Sequence, residues 1–216
     1  MMDRPGSDEP IRTPGDKRSY LDGLLDRIAY LEHEVEAELN RARAQWRYHI
    51  GADRVRFEHD VRLAHQRLKQ GLVRFFRGSN VATIATAPVI YSLVVPMVLL
   101  DGWVTLYQAI CFRAYGIAPV RRSAYIVIDR QHLSYLNGVE KLNCMFCGYG
   151  TGVFAYVREV AGRTEQYWCP IRHAHRVRAT HRLYRHFVDY GDAEGYRQRL
   201  IPLRNELRKK PIVEKP

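Results

Sequence analysis

Apolar residues recur along this chain in three rhythms, and each predicts a different kind of element. From about Ser19 the residues Leu21, Leu24, Ile28, Leu31 and Val35 follow an alternating three-four spacing, continued loosely by Leu39, Ala42 and Trp46. That rhythm lays a narrow apolar seam along one helix face, as in a coiled coil or a helix hairpin. Gly51 interrupts it, and Val61, Leu68, Leu72 and Phe75 restore a stripe. Two helices, 19–50 and 52–77, are therefore expected to form a helical arm over 19–77. Its seam needs a partner surface: another copy, another protein or the second helix. Residues 1–18 are polar, with Pro5, Pro10 and Pro14, and read as a disordered tail.

The second rhythm is a nearly unbroken apolar run over 78–112, in which Asp101 is the only formal charge between Arg77 and Arg113. Within it, 81–100 (VATIATAPVIYSLVVPMVLL) matches a bilayer-length helix of about 20 residues. A buried hairpin in a soluble protein is the competing reading. Basic residues flank both ends, Arg67, Lys69, Arg74 and Arg77 before and Arg113, Arg121 and Arg122 after. Positive charge marks the cytoplasmic side, so the expectation is a membrane-embedded hairpin that enters and leaves by one face. Asp101-Gly102 would make its turn, and Pro88 and Pro96 would bend the first leg. Each leg of about 15 residues rises about 22 Å, short of the ~30 Å hydrocarbon core, which makes the hairpin re-entrant. The alternative is one tilted span, 81–100, followed by an interfacial segment anchored by Trp103 and Tyr107.

The third region, 113–208, is mixed. Residues 124–128 (AYIVI) suit a short strand. Residues 129–142 suit a helix capped by Asp129, with Leu133, Leu136 and Val139 at three-residue spacing. Residues 152–161 suit another short helix ended at Gly162. Pro170 is well placed as a first helical residue, so a long basic helix is expected from there to Tyr190, before Gly191. A last helix over 193–208 precedes a mobile tail, 209–216. The fold class expected is mainly α.

The sharpest candidate chemistry lies in this third region. Cys144-Met-Phe-Cys147-Gly148-Tyr149 is followed by Tyr167-Trp168-Cys169-Pro170. A C-x-x-C pair brings two thiolates to one ion from a tight turn, with the following glycine relieving the backbone. The two segments resemble the metal knuckle of the rubredoxins, in which C-x-x-C-G-Y pairs with a distant aromatic-C-P. The resemblance covers about 30 residues and implies a small metal-binding module. Rubredoxins carry a fourth cysteine two residues beyond the one before proline; here the run is Cys169-Pro170-Ile171-Arg172-His173. On a helix opened by Pro170, Cys169 and His173 would share a face one turn apart. That face carries Val177, Tyr184, Phe187 and Val188, whereas His175 falls with Arg178, Arg182 and Arg185. The expected ligand set is Cys144, Cys147, Cys169 and His173, with Cys111 a more distant fourth candidate. Three thiolates and an imidazole suit one zinc ion, closed and structural, and iron is the alternative. Three unrelated buried thiols would give the same spacing without any metal.

Charge then narrows the partners. Residues 1–80 carry 15 Lys/Arg against 13 Asp/Glu, whereas residues 113–216 carry 19 against 9, so the net +11 of the chain resides in its C-terminal half. Arg172, Arg176, Arg178, Arg182 and Arg185 occur with no acidic residue until Asp189, a basic stretch expected to meet anionic lipid headgroups or phosphate. The first 20 residues show no basic-then-apolar leader, so a reducing compartment is expected and the four cysteines read as ligands or free thiols. Gly148, Gly150 and Gly152 resemble a phosphate loop in spacing, but they follow no strand and precede no Gly-Lys-Ser/Thr, which argues against one. No Glu-x-x-His repeat accompanies His33, His49, His59 and His65, so a di-iron bundle is not indicated. Asp129, His132 and Glu140 read as caps and surface pairs rather than acid–base groups. The leading expectation is a non-enzymatic, membrane-attached, zinc-stabilised scaffold or accessory subunit. It would dock a protein partner through its arm, with the metal module on the cytoplasmic side. An iron electron-transfer protein and a nucleic-acid-binding zinc module are the alternatives.

Overall fold

The computed structural model describes residues 14–44, 48–50, 55–57, 59–69, 71–78 and 80–208. The expected tails at 1–13 and 209–216, and the positions Trp46 and Gly51, lie outside the described residues, as does the side chain of Leu21. The chain is mainly α-helical and divides into two compact units, Met1–Arg62 and Leu63–Pro216.

The first unit contains one long helix, α1 (Pro14–Ala44), and an antiparallel pair, β1 (Tyr48–Ile50) and β2 (Val55–Phe57). Tyr48 faces Phe57, His49 faces Arg56 and Ile50 faces Val55. The single helix expected over 52–77 is replaced by β2, α2 (His59–Arg67) and α3 (Leu72–Gly78). Tyr, Ile, Val and Phe at the paired positions are strand formers, and their short period-two run outweighs a sparse helical stripe.

In the second unit α4 (Val81–Ser92), α5 (Val94–Tyr107), a π-turn at Gln108–Phe112 and α6 (Arg113–Tyr115) form one helical run, Val81–Tyr115. The Asn80 side chain caps it, accepting from the Ala82 N–H at 3.0 Å. Its end is set by Gly116, whose φ of 70° makes the left-handed cap that glycine adopts without strain. Pro96 lacks the N–H that would reach Ser92, and the run is interrupted at Leu93, one turn earlier, rather than broken. The expected hairpin is therefore absent. Asp101 and Gly102 sit inside α5, because the Asp101 carboxylate finds partners within the fold and needs no solvent-facing turn.

The other long helix is α7 (Gly138–Trp168), which absorbs the separate helices expected at 129–142 and 152–161. Asn137 opens it with a capping box: its side chain accepts from the Glu140 N–H at 3.0 Å while the Glu140 carboxylate accepts from the Asn137 N–H at 2.8 Å. No proline interrupts the 31 residues that follow. Contacts between the α4–α5 run and α7 rise together in number, with Tyr91 of α4 against Phe146 and, on α5, Met97 against Gly150, Thr105 against Tyr156 and Tyr107 against Thr164. The two helices are therefore parallel neighbours. Residues 117–137 carry the chain back in the opposite sense, from Ala118 beside Arg163 to Val127 beside Gly148. This return segment holds 3-10 turns at Arg122–Ala124 and Arg130–His132, not the strand expected at 124–128.

Phe112, Ile117, Val120, Tyr156 and Val160 form the core where these three elements meet, joined by Leu207 from the end of the last helix. The last helix, α8 (Ala193–Glu206), lies where the sequence places one, capped by Asp192. It is pinned to the end of α7 by the Gln166 amide donating to the Leu203 carbonyl at 2.8 Å.

Candidate functional site

The Val81–Tyr115 run has two unlike faces. Ala87, Tyr91, Met97, Asp101, Val104 and Phe112 turn inward, towards α7 and the return segment, with Asp101 only 6% exposed. The opposite side is an apolar stripe open to the surroundings: Val81, Val89, Val95, Leu99, Trp103, Leu106 and Ile110 are each at least 51% exposed. The step of three or four residues from Val95 to Ile110 is that of one helix face. No charged residue interrupts it.

The inward face is sealed by polar bonds. The Arg122 guanidinium grips Asp101, its Nε 2.9 Å from Oδ1 and its Nη2 2.5 Å from Oδ2. Tyr149 on α7 donates to the same carboxylate at 3.0 Å. Two turns on, Gln108 accepts from the Val120 N–H at 2.7 Å and donates to the Val120 carbonyl and to the Tyr156 hydroxyl. The sole acid of an apolar helix thus ties three segments together. A charge inside such a run is the signal that points to this clamp in the sequence, whereas Arg122 and Tyr149 carry no sequence signal of their own.

A second polar knot lies on α7. Glu159 is 5% exposed and receives Arg163 at 3.0 Å and Arg182 at 2.7 Å. Burial pushes its carboxyl up, but the two guanidinium groups outweigh burial and hold it below the ordinary glutamate range. Arg163 also donates to the Ala118 carbonyl at 2.6 Å, and His181 meets Glu165 at 2.9 Å. Burial and the neighbouring Arg185 together depress the imidazole of His186.

The continuous α7 overturns the metal knuckle. Cys144 and Cys147 stand on consecutive turns of a helix rather than on a chelating turn, and Cys169 is the cap at its far end. Cys147 and Cys169 are 22 residues apart, about 33 Å at 1.5 Å per residue, whereas two thiolates on one zinc ion each lie about 2.3 Å from it. His173 is exposed; its backbone N–H donates to the Tyr184 hydroxyl at 2.7 Å and its ring stacks over that tyrosine. Cys111, on the π-turn, is free, as are the other three cysteines. Among the described residues no group of three or more His, Cys, Asp or Glu is placed to hold an ion. The rubredoxin-like knuckle is therefore contradicted, and Cys144, Cys147, Cys169 and His173 are not brought together as a ligand set. Gly148, read as relief of a turn, and Gly162, read as a helix end, both lie inside α7, where Gly152 and Gly162 are packing positions. A Cβ on Gly152 would lie 2.8 Å from the Ile126 Cα, and one on Gly162 would lie 2.7 Å from the His181 Nδ1.

The long basic helix expected from Pro170 is also absent. Proline directly after the Cys169 cap closes α7 rather than opening a new helix. Its carbonyl accepts from the Val188 N–H at 2.9 Å, and the Arg172 N–H donates to the Val188 carbonyl at 2.7 Å, closing residues 173–187 into a loop. Arginines four apart, Arg172 with Arg176 and Arg178 with Arg182, would repel one another on a helix. Of the five arginines assigned to lipid or phosphate, Arg172 pairs with Asp189 and bonds the Arg185 carbonyl, and Arg182 pairs with Glu159. Arg185 is partly buried, while Arg176 and Arg178 are exposed.

On α1, the seam residues Leu24, Ile28, Leu31 and Val35 are 38% to 59% exposed. Compared with protein families, curated proteins and solved structures, the chain gives no match.

Proposed function

We propose that this protein is a membrane-attached, non-enzymatic scaffold or accessory subunit. The observation that carries the reading is the open stripe on Val81–Tyr115: seven large apolar side chains on one face, backed by a face whose single acid is fully paired. An exposed apolar surface of this extent on a chain whose flanks are basic suits lipid, with Trp103 at home near the headgroups. Arg176 and Arg178, free of the ion pairs that hold Arg172 and Arg182, are suited to anionic headgroups. The α1 seam supports the second half of the reading. Leu24, Ile28, Leu31 and Val35 form a continuous exposed edge suited to a protein partner or to a second copy.

Extraction of the full-length chain from cell membranes tests the attachment. High salt and alkaline carbonate are expected to leave it in the pellet and detergent to release it. Release by salt alone would leave only basic surface binding and sink the embedded stripe.

A further inference from the structure

The parallel packing of the α4–α5 run and α7 bears on how the stripe meets a bilayer. Asn143 hydrogen-bonds Tyr91, so Glu140 and Lys141 stand beside the turn that precedes Tyr91. Tyr91 lies ten residues beyond Val81, about 15 Å along the helix, halfway through a ~30 Å hydrocarbon core if the run crossed it upright. A carboxylate and an ammonium group would then flank the helix near mid-bilayer. The return segment raises the same objection. Its backbone is irregular, it runs back beside α7, and Val127 and Ile128 on it are exposed. Irregular backbone facing lipid at that depth leaves amide groups unsatisfied. The stripe itself is also too long. Val81 and Ile110 are 29 residues apart, about 43 Å along the helix, against the ~30 Å core. Exposed basic residues stand at both ends of the run, Arg77 before it and Arg113 and Arg121 after it.

Resting on the membrane reading above, we infer that the chain is monotopic. The Val81–Tyr115 run lies along one leaflet with its stripe towards the acyl chains. Helix α7 and the return segment sit on its water side, which keeps Glu140, Lys141, Arg121 and Arg122 at headgroup level. Such a platform leaves both termini on one side of the membrane and makes the lipid partner a leaflet surface rather than a bilayer core.

The test uses the full chain, carrying a short epitope tag at each terminus and added from outside to sealed vesicles of phosphatidylcholine with one quarter phosphatidylglycerol. Flotation first separates bound from unbound protein, and failure to float would end the membrane reading whichever way the chain were oriented. On floated vesicles, external protease is expected to remove both tags. A membrane-impermeant amine reagent is expected to modify Lys141 as well as Lys69, with no gain when the vesicles are opened. Protection of either tag until the vesicles are opened would establish a crossing helix and overturn the inference. So would loss of Lys141 labelling on vesicle binding, measured against the same lysine in detergent-solubilised protein, since that places it at core depth.

Discussion

Val81–Tyr115 and α7 are neighbours of similar length, 35 and 31 residues, and they use apolar residues in opposite ways. The first is the more apolar by sequence, yet Asp101 and Phe112 are its only buried residues. The second carries Glu159, Arg163 and Gln166, and buries all three together with Val153, Tyr156 and Val160. The core of this unit is thus built around the mixed helix, while the uniformly apolar one contributes one face and leaves the other unsatisfied. A helix that is hydrophobic all round has no preferred side until something else covers it; a helix with a few paired charges and glycines has a side fixed by geometry.

Removing a buried charge from the mixed helix is the most severe way to test that contrast. Glu159→Ala strands Arg163 at 6% exposure, and breaking one partner of a buried pair costs about 3–5 kcal/mol. Set against a whole-domain stability of about 5–15 kcal/mol, the change should be plain in a denaturant midpoint. Acid probes the same knot without mutation. Because the folded Glu159 carboxyl is held below its unfolded value of 4.5, its contribution is present above that pH and lost as pH falls through the folded value. Denaturant midpoints measured from pH 6 downwards should therefore fall more steeply for the native chain than for Glu159→Gln. Parallel curves would remove Glu159 from the account of acid sensitivity.

A pair of identical substitutions sharpens the comparison at smaller magnitude. Alanine at Gly152 meets the Ile126 Cα at 2.8 Å and should destabilise by about 1–3 kcal/mol, despite the better helix propensity. Alanine at Gly102 meets nothing within 4 Å and should stabilise by up to about 1 kcal/mol, through propensity alone. The same sign in both variants would mean that the two helices are not packed as different elements.

How much of this was legible in the sequence divides along the same line. Local pattern located the apolar run, α8 and most of α1, although the helix expected over 19–50 ends at Ala44 and Tyr48–Ile50 is a strand. It failed where long-range partners decide the outcome. The turn expected at Asp101-Gly102 needed a solvent-seeking carboxylate, but Arg122, 21 residues on, pairs with it inside the fold. The cysteine spacing is equally good for a knuckle and for two thiols one turn apart on a helix, and the Asn137–Glu140 capping box that selects the helix lies seven residues ahead of the first cysteine. Pro170 satisfied the rule for a helix start and the rule for a helix end alike; Val188, which takes its carbonyl, decides between them. The glycines gave the least warning, since their function is to admit Ile126 and His181 from elsewhere in the chain.

The smallest expected effect on stability belongs to the other unit. Replacing Leu24 and Ile28 by serine on the exposed α1 seam should change the unfolding midpoint little, because both side chains are already 38% and 47% exposed. The change should appear instead in sedimentation or partner recovery, as a weaker assembly. An unchanged assembly and partner set would remove α1 from the docking role.

The central claim, that the stripe on Val81–Tyr115 is a lipid-facing surface while α7 is a protein core, is tested most directly by photolabelling from lipid carrying a diazirine in its acyl chain. After irradiation of the vesicle-bound full chain, adducts mapped by mass spectrometry are predicted at Val89, Val95, Leu99, Trp103 and Leu106. None is predicted at Val153, Tyr156 or Val160, each no more than 2% exposed. A stripe free of adducts, or equal labelling of the two helices, would contradict the account.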